Sequence, residues 1–328
     1  MIRISAGTAA CLGLSANKMD AYPTTAYLLS GNRCLMSCAF CPQGLGKREA
    51  LKRLGRITWP AYAWSEVEKG LAEAKIKGIE RICLQLFRHP DGLAPLLEQI
   101  KKIKEISALP LSLSAWINSE EEAKALKEAG VERLAISIDV ANPVLYQRIK
   151  GGSFERKIAL LLNCAAAFPG QISTHLICGL GESEEELLTL AAKFLKAQVT
   201  LALFAFVPLK GTPLEQAEPP ALDSYRRMQA ALYLLREKII TFKMLKFEQG
   251  RLIDFSLTAN DLAKGLARGE AFRTSGCPDC NRPYYNERPG KEIYNYHRPL
   301  DEKEIKAALS LVTGTEDAGE RAPAVKTL

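Results

Sequence analysis

The sequence predicts an α/β protein, a partial or full (β/α) barrel followed by an irregular, cysteine-bearing C-terminal segment. Three observations carry this. Short, continuously apolar runs recur between amphipathic stretches, which is the pattern of parallel strands covered on both faces. Six such βα units fit between Thr24 and Lys238. From Gly269 to Arg298 the period breaks into Gly, Pro, Cys, Asn and Tyr, so this part is read as an ordered but irregular segment. A barrel of this kind places its site at the C-terminal ends of the strands. The competing architecture is an open doubly wound sheet. Its glycine-rich phosphate turn after the first strand is missing, and a cysteine loop stands there instead.

Taken in order, Thr24–Leu29 is the first strand, rich in β-branched, aromatic and aliphatic residues. The loop Gly31–Gly46 follows. Ser65–Lys77 is predicted helical, Arg81–Leu86 a strand and Leu93–Ile106 a helix. Leu111–Ala115 is a strand, and Ser119 caps the helix Glu120–Ala129. Leu134–Ile138 is a strand that ends at Asp139. The helix Ile158–Ala167, the strand Ile172–Cys178 and the acid-started helix Glu184–Ala197 come next. Thr200–Val207 is the sixth strand and Leu222–Lys238 closes the sixth unit. Lys243–Phe247 and Leu252–Phe255 are read as further strands that could extend the barrel. The expected divisions are an N-terminal segment 1–23, a barrel 24–256, a C-terminal segment 257–312 and a disordered tail 313–328.

Composition narrows the function. With 47% hydrophobic and 25% charged residues the chain is globular, which excludes an intrinsically disordered protein. Mean hydropathy is −0.06, and no apolar run is long enough to span a bilayer. A net charge of +7 favours an acidic partner or an anionic ligand. The Lys and Arg residues are spread along the helices, which argues against nucleic acid. Met1–Leu14 lacks the long apolar stretch of a lipoprotein signal. Nine cysteines, five of them in two tight clusters, read as free thiols available for metal in a cytoplasmic protein.

The first cluster is Cys34-Leu35-Met36-Ser37-Cys38-Ala39-Phe40-Cys41, a CxxxCxxC run after the first strand. Three thiolates this close can ligate three irons of a [4Fe-4S] cluster and leave one iron open to a cofactor or substrate. Zinc sites favour paired CxxC knuckles with a fourth ligand, and no His lies in this loop.

This loop resembles that of the radical S-adenosylmethionine (radical SAM) superfamily. The resemblance implies a barrel of radical SAM type. It implies that Cys34, Cys38 and Cys41 hold a [4Fe-4S] cluster, and that Phe40 packs on the cofactor. In that family the open iron chelates S-adenosylmethionine, and one electron from the cluster yields a 5′-deoxyadenosyl radical that abstracts hydrogen from an unactivated carbon.

Ser137-Ile138-Asp139 ends the fourth strand. Ser137 and Asp139 could bind ribose hydroxyls or cap the next helix; a similar Asn-Leu-Asp in biotin synthases favours ribose. His175–Glu182 is similar to the fifth-strand glycine motif of the superfamily, in which Ile177 and Gly179 would border adenine. Glu182 also reads as an ordinary acid at a helix start. Ala205-Phe206-Val207-Pro208 resembles the sixth-strand adenine segment of biotin synthases, which implies roles for Phe206 and Val207. The superfamily's Gly-Gly-Glu motif is absent. Gln85, in Leu84-Gln85-Leu86, is the candidate ligand for the methionine amine.

The second cluster is Cys277-Pro278-Asp279-Cys280. A lone CxxC could be a redox pair or half a zinc knuckle. With a strand cysteine it could hold a second, auxiliary [4Fe-4S] cluster. Biotin synthases place an auxiliary-cluster cysteine on the second strand, which makes Cys83 the candidate third ligand, with Cys11 and Cys178 competing. The other two strand cysteines of that family are absent: Ser173 stands on the fifth strand and Leu111–Ala115 contains none. Cys164 is read as core. Arg273-Thr274-Ser275 is faintly similar to the Arg-Ser-Ser-Tyr of lipoyl synthases, which implies Ser275 as an oxygen ligand to the iron that is lost.

Ser5 to about Leu309 best resembles the biotin synthase-related half of the two-protein lipoyl synthases, through Gly55-Arg56-Ile57-Thr58-Trp59-Pro60 and the Cys277–Pro289 segment. That resemblance implies a sulfurtransferase acting on an octanoyl chain carried by a lipoyl carrier protein (H protein or E2 lipoyl domain). The auxiliary cluster would be the sulfur donor, with Cys277, Cys280 and Ser275 at the transfer site. A sister radical SAM subunit would make the other C–S bond, and ferredoxin or flavodoxin would supply electrons. The alternatives are a biotin synthase, a mutase or methyltransferase with a structural second metal site, and a non-catalytic metal scaffold.

Overall fold

The computed structural model describes residues 1–31, 34–45, 53–87, 93–287 and 290–314. The expected disordered tail therefore falls, from residue 315 on, outside the described residues, as do Arg288 and Pro289 of the C-terminal segment.

The strands are β1 (Ile2–Ile4), β2 (Thr25–Ser30), β3 (Arg53–Leu54), β4 (Ile57–Thr58), β5 (Ala61–Tyr62), β6 (Arg81–Leu86), β7 (Leu111–Ser114), β8 (Arg133–Ala135), β9 (Ile172–Cys178), β10 (Thr200–Ala205), β11 (Lys246–Glu248) and β12 (Arg251–Asp254). The helices are α1 (Ala6–Cys11), α2 (Trp64–Ala72), α3 (Ala94–Ile106), α4 (Glu120–Glu128), α5 (Pro143–Ile149), α6 (Phe154–Ala167), α7 (Glu184–Lys196), α8 (Leu222–Arg236), α9 (Ala259–Leu266) and α10 (Glu302–Thr313).

One eight-stranded sheet runs β10-β9-β8-β7-β6-β2-β1-β5. The six strands from β2 to β10 in this order pair in parallel, while β1 and β5 extend the β2 edge antiparallel. The barrel is thus partial. The apolar strands bury Leu28, Leu84, Leu113, Leu134, Leu176 and Leu203 against the helices in one continuous core. Ser119 caps α4 as predicted, accepting the Glu122 N–H at 3.3 Å.

Two sequence readings are corrected. The expected barrel strands near 243–255 form a separate antiparallel hairpin, β11–β12, outside the sheet. The strand predicted to reach Ile138 ends at Ala135, and the backbone beyond turns at Asp139, whose φ is +65°.

The open edge at β10 is sealed by side chains. Leu203 N–H donates to Ser275 Oγ (2.9 Å), Tyr225 Oη donates to Leu203 O (3.1 Å) and Asn286 Nδ2 donates to Ala205 O (2.6 Å). These partners satisfy backbone groups that an unpaired edge strand would leave open. The C-terminal segment is in turn pinned to α8. Buried Arg226 donates to the carbonyls of Ile293 and Tyr294, and Glu287 accepts the N–H groups of Asn286 (2.8 Å) and Asn295 (2.9 Å).

Candidate functional site

The inner face of the partial barrel encloses a cavity of about 350 Å³. Side chains at alternate positions line it, as the strand period requires: Tyr27 and Leu29, Cys83 and Gln85, Ser112 and Ser114, Ala135 and Ser137, His175 and Ile177, Phe204 and Phe206. Cys34, Cys38 and Cys41 lie at the C-terminal mouth. Their loop is tied down by Ala39 N–H donating to Ile149 O (2.8 Å) at the end of α5, and by Leu214 N–H donating to Ala39 O (3.3 Å).

Cys277 and Cys280 line the opposite end. Their loop docks on the strand starts: Thr24 Oγ1 donates to Asp279 O (2.5 Å), Arg81 Nε to Pro278 O (3.1 Å) and Ser112 Oγ to Cys277 Sγ (3.6 Å). Cys83 on β6 lies with Cys277 and Cys280 and is the register partner of Tyr27 and Ser112. All six cysteines predicted as metal ligands therefore border one space. The competing Cys11 points away and donates to Lys77 O (3.4 Å), and Cys178 and Cys164 are buried in the core. Among the described residues no three His, Cys, Asp or Glu side chains converge as a single-ion site.

Of the remaining predicted residues, Phe40, Gln85, Ser137, Asp139, Ile177, Phe206 and Val207 line the cavity. Two do not. Gly179 packs against Pro220, where a Cβ would come within 2.9 Å of the ring, and its φ of +98° suits glycine. Ser275 Oγ accepts the Leu203 N–H of the β10 edge, and Ser275 borders a second pocket together with Cys277 and Cys280. The capping alternative for Ser137 and Asp139 also fails, because Asn142 caps α5, accepting the Leu145 N–H at 3.0 Å.

Several groups were not anticipated. Lys150 Nζ donates to Asp139 Oδ2 (2.6 Å), Ser137 O (2.8 Å) and Ile138 O (3.3 Å). Burial disfavours its charge, but Asp139 outweighs this and its pKa is raised. His175 Nδ1 lies 3.3 Å from Ser137 Oγ, and burial pushes the imidazole down to about 4, so it is neutral at ordinary pH. Arg282 stacks over Phe204 at 4.2 Å and Lys157 over Trp116 at 3.8 Å. The segment bearing Arg282 is conformationally demanding: Asp279, Arg282 and Tyr284 all have positive φ. That signal is invisible in sequence.

An apolar wall of Tyr27, Leu29, Trp59 and Phe87, with Leu54 and Ile57, runs from Cys34 at one end to Cys83 and Cys280 at the other. Burial pushes the Cys38 thiol up to about 11 and the Cys41 thiol up to about 12, and raises those of Cys83 and Cys277. Thiols held protonated by burial become thiolates when a cationic metal group binds.

The profile described as "Radical SAM superfamily" matches residues 28–194, just over half of the chain. The chain belongs to the radical SAM superfamily. A biotin synthase of Nitrosopumilus maritimus (strain SCM1) is 26% identical over 245 residues, covering 73% of this chain and 71% of that one. A biotin synthase of Synechococcus sp. (strain JA-3-3Ab) is 28% identical over 200 residues, covering 58% and 62%. Among solved structures, methylornithine synthase (PylB) superposes with a TM-score of 0.51 at 17% identity over 87% of this chain and 79% of that one, a likeness of fold. Membership implies a [4Fe-4S] cluster with S-adenosylmethionine. The residues fit: Cys34, Cys38 and Cys41 border the cavity together at its mouth and supply three thiol donors. Among the described residues no helix is long and apolar enough to cross a membrane.

Proposed function

We propose that this radical SAM enzyme is a sulfurtransferase that inserts sulfur into an octanoyl chain on a lipoyl carrier protein, with a sister radical SAM enzyme making the other C–S bond. One observation carries the reading: Cys83, Cys277 and Cys280 share a cavity with Cys34, Cys38 and Cys41, and an apolar wall joins the two groups. A thin aliphatic chain suits that wall, where each buried methylene contributes about 0.8 kcal/mol.

Cys34, Cys38 and Cys41 would hold the cluster that binds S-adenosylmethionine, and Cys83, Cys277 and Cys280 an auxiliary sulfur-donor cluster. When bound, the first group supplies a 5′-deoxyadenosyl radical and the second a sulfide. The chain's own residues orient and enclose these. Asp139, held by Lys150, presents a fixed carboxylate to a ribose; Ile177, Phe206 and Val207 offer apolar contacts to a purine; Gln85 offers its side-chain carbonyl to an amine. The positive charge of the chain suits an acidic carrier domain, and a ferredoxin or flavodoxin in the cytoplasm would supply electrons.

The identities to biotin synthases favour a second reading, sulfur insertion into dethiobiotin. The test is mass spectrometry after incubation with reductant and S-adenosylmethionine, offering an octanoyl-lysine peptide and dethiobiotin side by side. A mass gain of sulfur on the peptide supports the proposal. Thiolated dethiobiotin alone replaces it with the second reading. Deoxyadenosine with no sulfur in either product points to a mutase or methyltransferase.

A further inference from the structure

Two hydroxyl groups are aimed at the thiols of the second cysteine group. Tyr27 Oη lies 3.2 Å from Cys280 Sγ, and Ser112 Oγ lies 3.6 Å from Cys277 Sγ. Tyr27 and Ser112 are the register partners of Cys83 on either side, so one row across β2, β6 and β7 reads hydroxyl, thiol, hydroxyl.

The direction of each proton can be worked out. Arg81 Nη1 donates to Ser112 Oγ at 3.0 Å, which occupies a lone pair and leaves the serine hydrogen to point at Cys277. Arg81 is itself fixed by Glu132 and by Pro278 O of the cysteine loop. A metal-bound Cys280 is a thiolate and carries no proton, so Tyr27 must be the donor of the other contact. Both residues are buried, which strengthens a hydrogen bond to a charged acceptor.

Bond formation between a carbon radical and sulfide has a definite electron balance. The radical brings one electron and sulfide brings a pair. Two electrons enter the new C–S bond, and the third passes to iron, reducing Fe(III) to Fe(II). A sulfur-donor cluster must therefore be an electron acceptor at this step. Hydrogen bonds to the sulfurs of an iron–sulfur cluster stabilise its more negative, reduced state and so set its potential.

We infer that Tyr27 and Ser112 are positioning residues that donate hydrogen bonds to the Cys280 and Cys277 thiolates and raise the electron affinity of the auxiliary cluster for the C–S step. This rests on the sulfur-insertion reading.

The experiment is a redox titration of the reconstituted protein followed by electron paramagnetic resonance, with the first cluster as internal reference. Tyr27→Phe and Ser112→Ala each remove one oxygen. Each is expected to weaken the electron affinity of the second cluster about tenfold, which is about 59 mV for one electron. The double variant shifts further, Ser112→Thr keeps the wild-type value, and the first cluster does not move. A second cluster present at full iron with an unshifted potential in both single variants overturns the inference. So does loss of that cluster in either variant, since it makes the hydroxyls structural. Failure of the underlying reading is separable: wild-type protein would then hold only about four irons.

Discussion

The pair formed by Asp139 and Lys150 allows a quantitative test of the site's architecture. Their side chains are 12% and 3% exposed and meet at 2.6 Å. Lys150 directs its remaining hydrogen bonds at two backbone carbonyls, so no water is needed to satisfy it. Asp139→Asn removes the charge while keeping the shape and a residue type that tolerates φ of +65°. Breaking a buried pair from one side leaves the ammonium uncompensated, at a cost of about 3–5 kcal/mol. Asp139→Ala adds the strain of a left-handed backbone, about 1–2 kcal/mol. Lys150→Met leaves a carboxylate that faces the cavity and can be hydrated there, so it should cost less than Asp139→Asn. The double variant Asp139→Asn/Lys150→Met should fall short of the summed losses by about 0.5–3 kcal/mol, the range for residues in contact. Urea midpoints of the reduced, metal-free protein at constant slope measure this. A loss under about 1 kcal/mol for Asp139→Asn, additive with Lys150→Met, would mean that the pair is not made in solution. The same substitution should weaken S-adenosylmethionine binding by about 1.5–3 kcal/mol, because a charge-assisted hydrogen bond is lost.

Other expectations follow from the same geometry. Cys38→Ala should abolish deoxyadenosine formation, measured by chromatography; normal production would remove the radical mechanism. Replacing Cys277 and Cys280 together by Ala should leave deoxyadenosine formation in place but end sulfur transfer, with about half the iron retained; full iron and thiolated product would mean that sulfur comes from elsewhere. The carboxyl oxygens of half-buried Glu182 are shut off from solvent without a well-formed hydrogen bond, and burial pushes the group up to about 7 although amides of Glu182, Leu180 and Gly179 pull the other way. Its folded pKa lies above the unfolded one, so stability is full below about 4.5 and falls by about 3 kcal/mol as pH rises through about 7; Glu182→Gln should flatten that dependence in denaturant midpoints at pH 5 and 8. Gly179→Ala should destabilise by about 1–3 kcal/mol, since a Cβ there meets Pro220 and φ is positive; a thermal melt equal to wild type would contradict it.

The parallel strands were legible because each is apolar on both faces, and the first cysteine loop because its spacing is specific. The second group was legible as a pair, and strand parity then brings Cys83 beside it. Other parts could not be read. β1 is three residues long and pairs antiparallel, so Ile2-Arg3-Ile4 carries no period to recognise. The strand expected near 243–255 has the right residues but no sheet edge to join, because Ser275 and Asn286 already occupy β10. Lys150 meets Asp139 across the α5 turn, and its position before Gly151 gives no hint of a buried ammonium. Ser275 accepts the Leu203 N–H of β10, a contact that Arg273-Thr274-Ser275 gives no sign of in the sequence.

The two thiol groups are built by independent means. The loop of Cys34, Cys38 and Cys41 follows β2 directly and is tied to α5 and to the turn after β10. The loop of Cys277 and Cys280 arrives from the far end of the chain and rests on strand starts through Thr24, Arg81 and Ser112. Arg226 of α8, with Glu287 and Asn295, pins the segment that follows it, and Asn295 bonds Tyr225 and Asn286, two of the groups that seal the open barrel edge. Closing the barrel and furnishing its floor with thiols are therefore one structural act. A six-stranded parallel sheet needs an edge partner, and the segment that supplies it also brings the second sulfur group within the same cavity as the first. Unhooking that segment should open the edge and lose the second group together, while the mouth of the cavity keeps its own anchors.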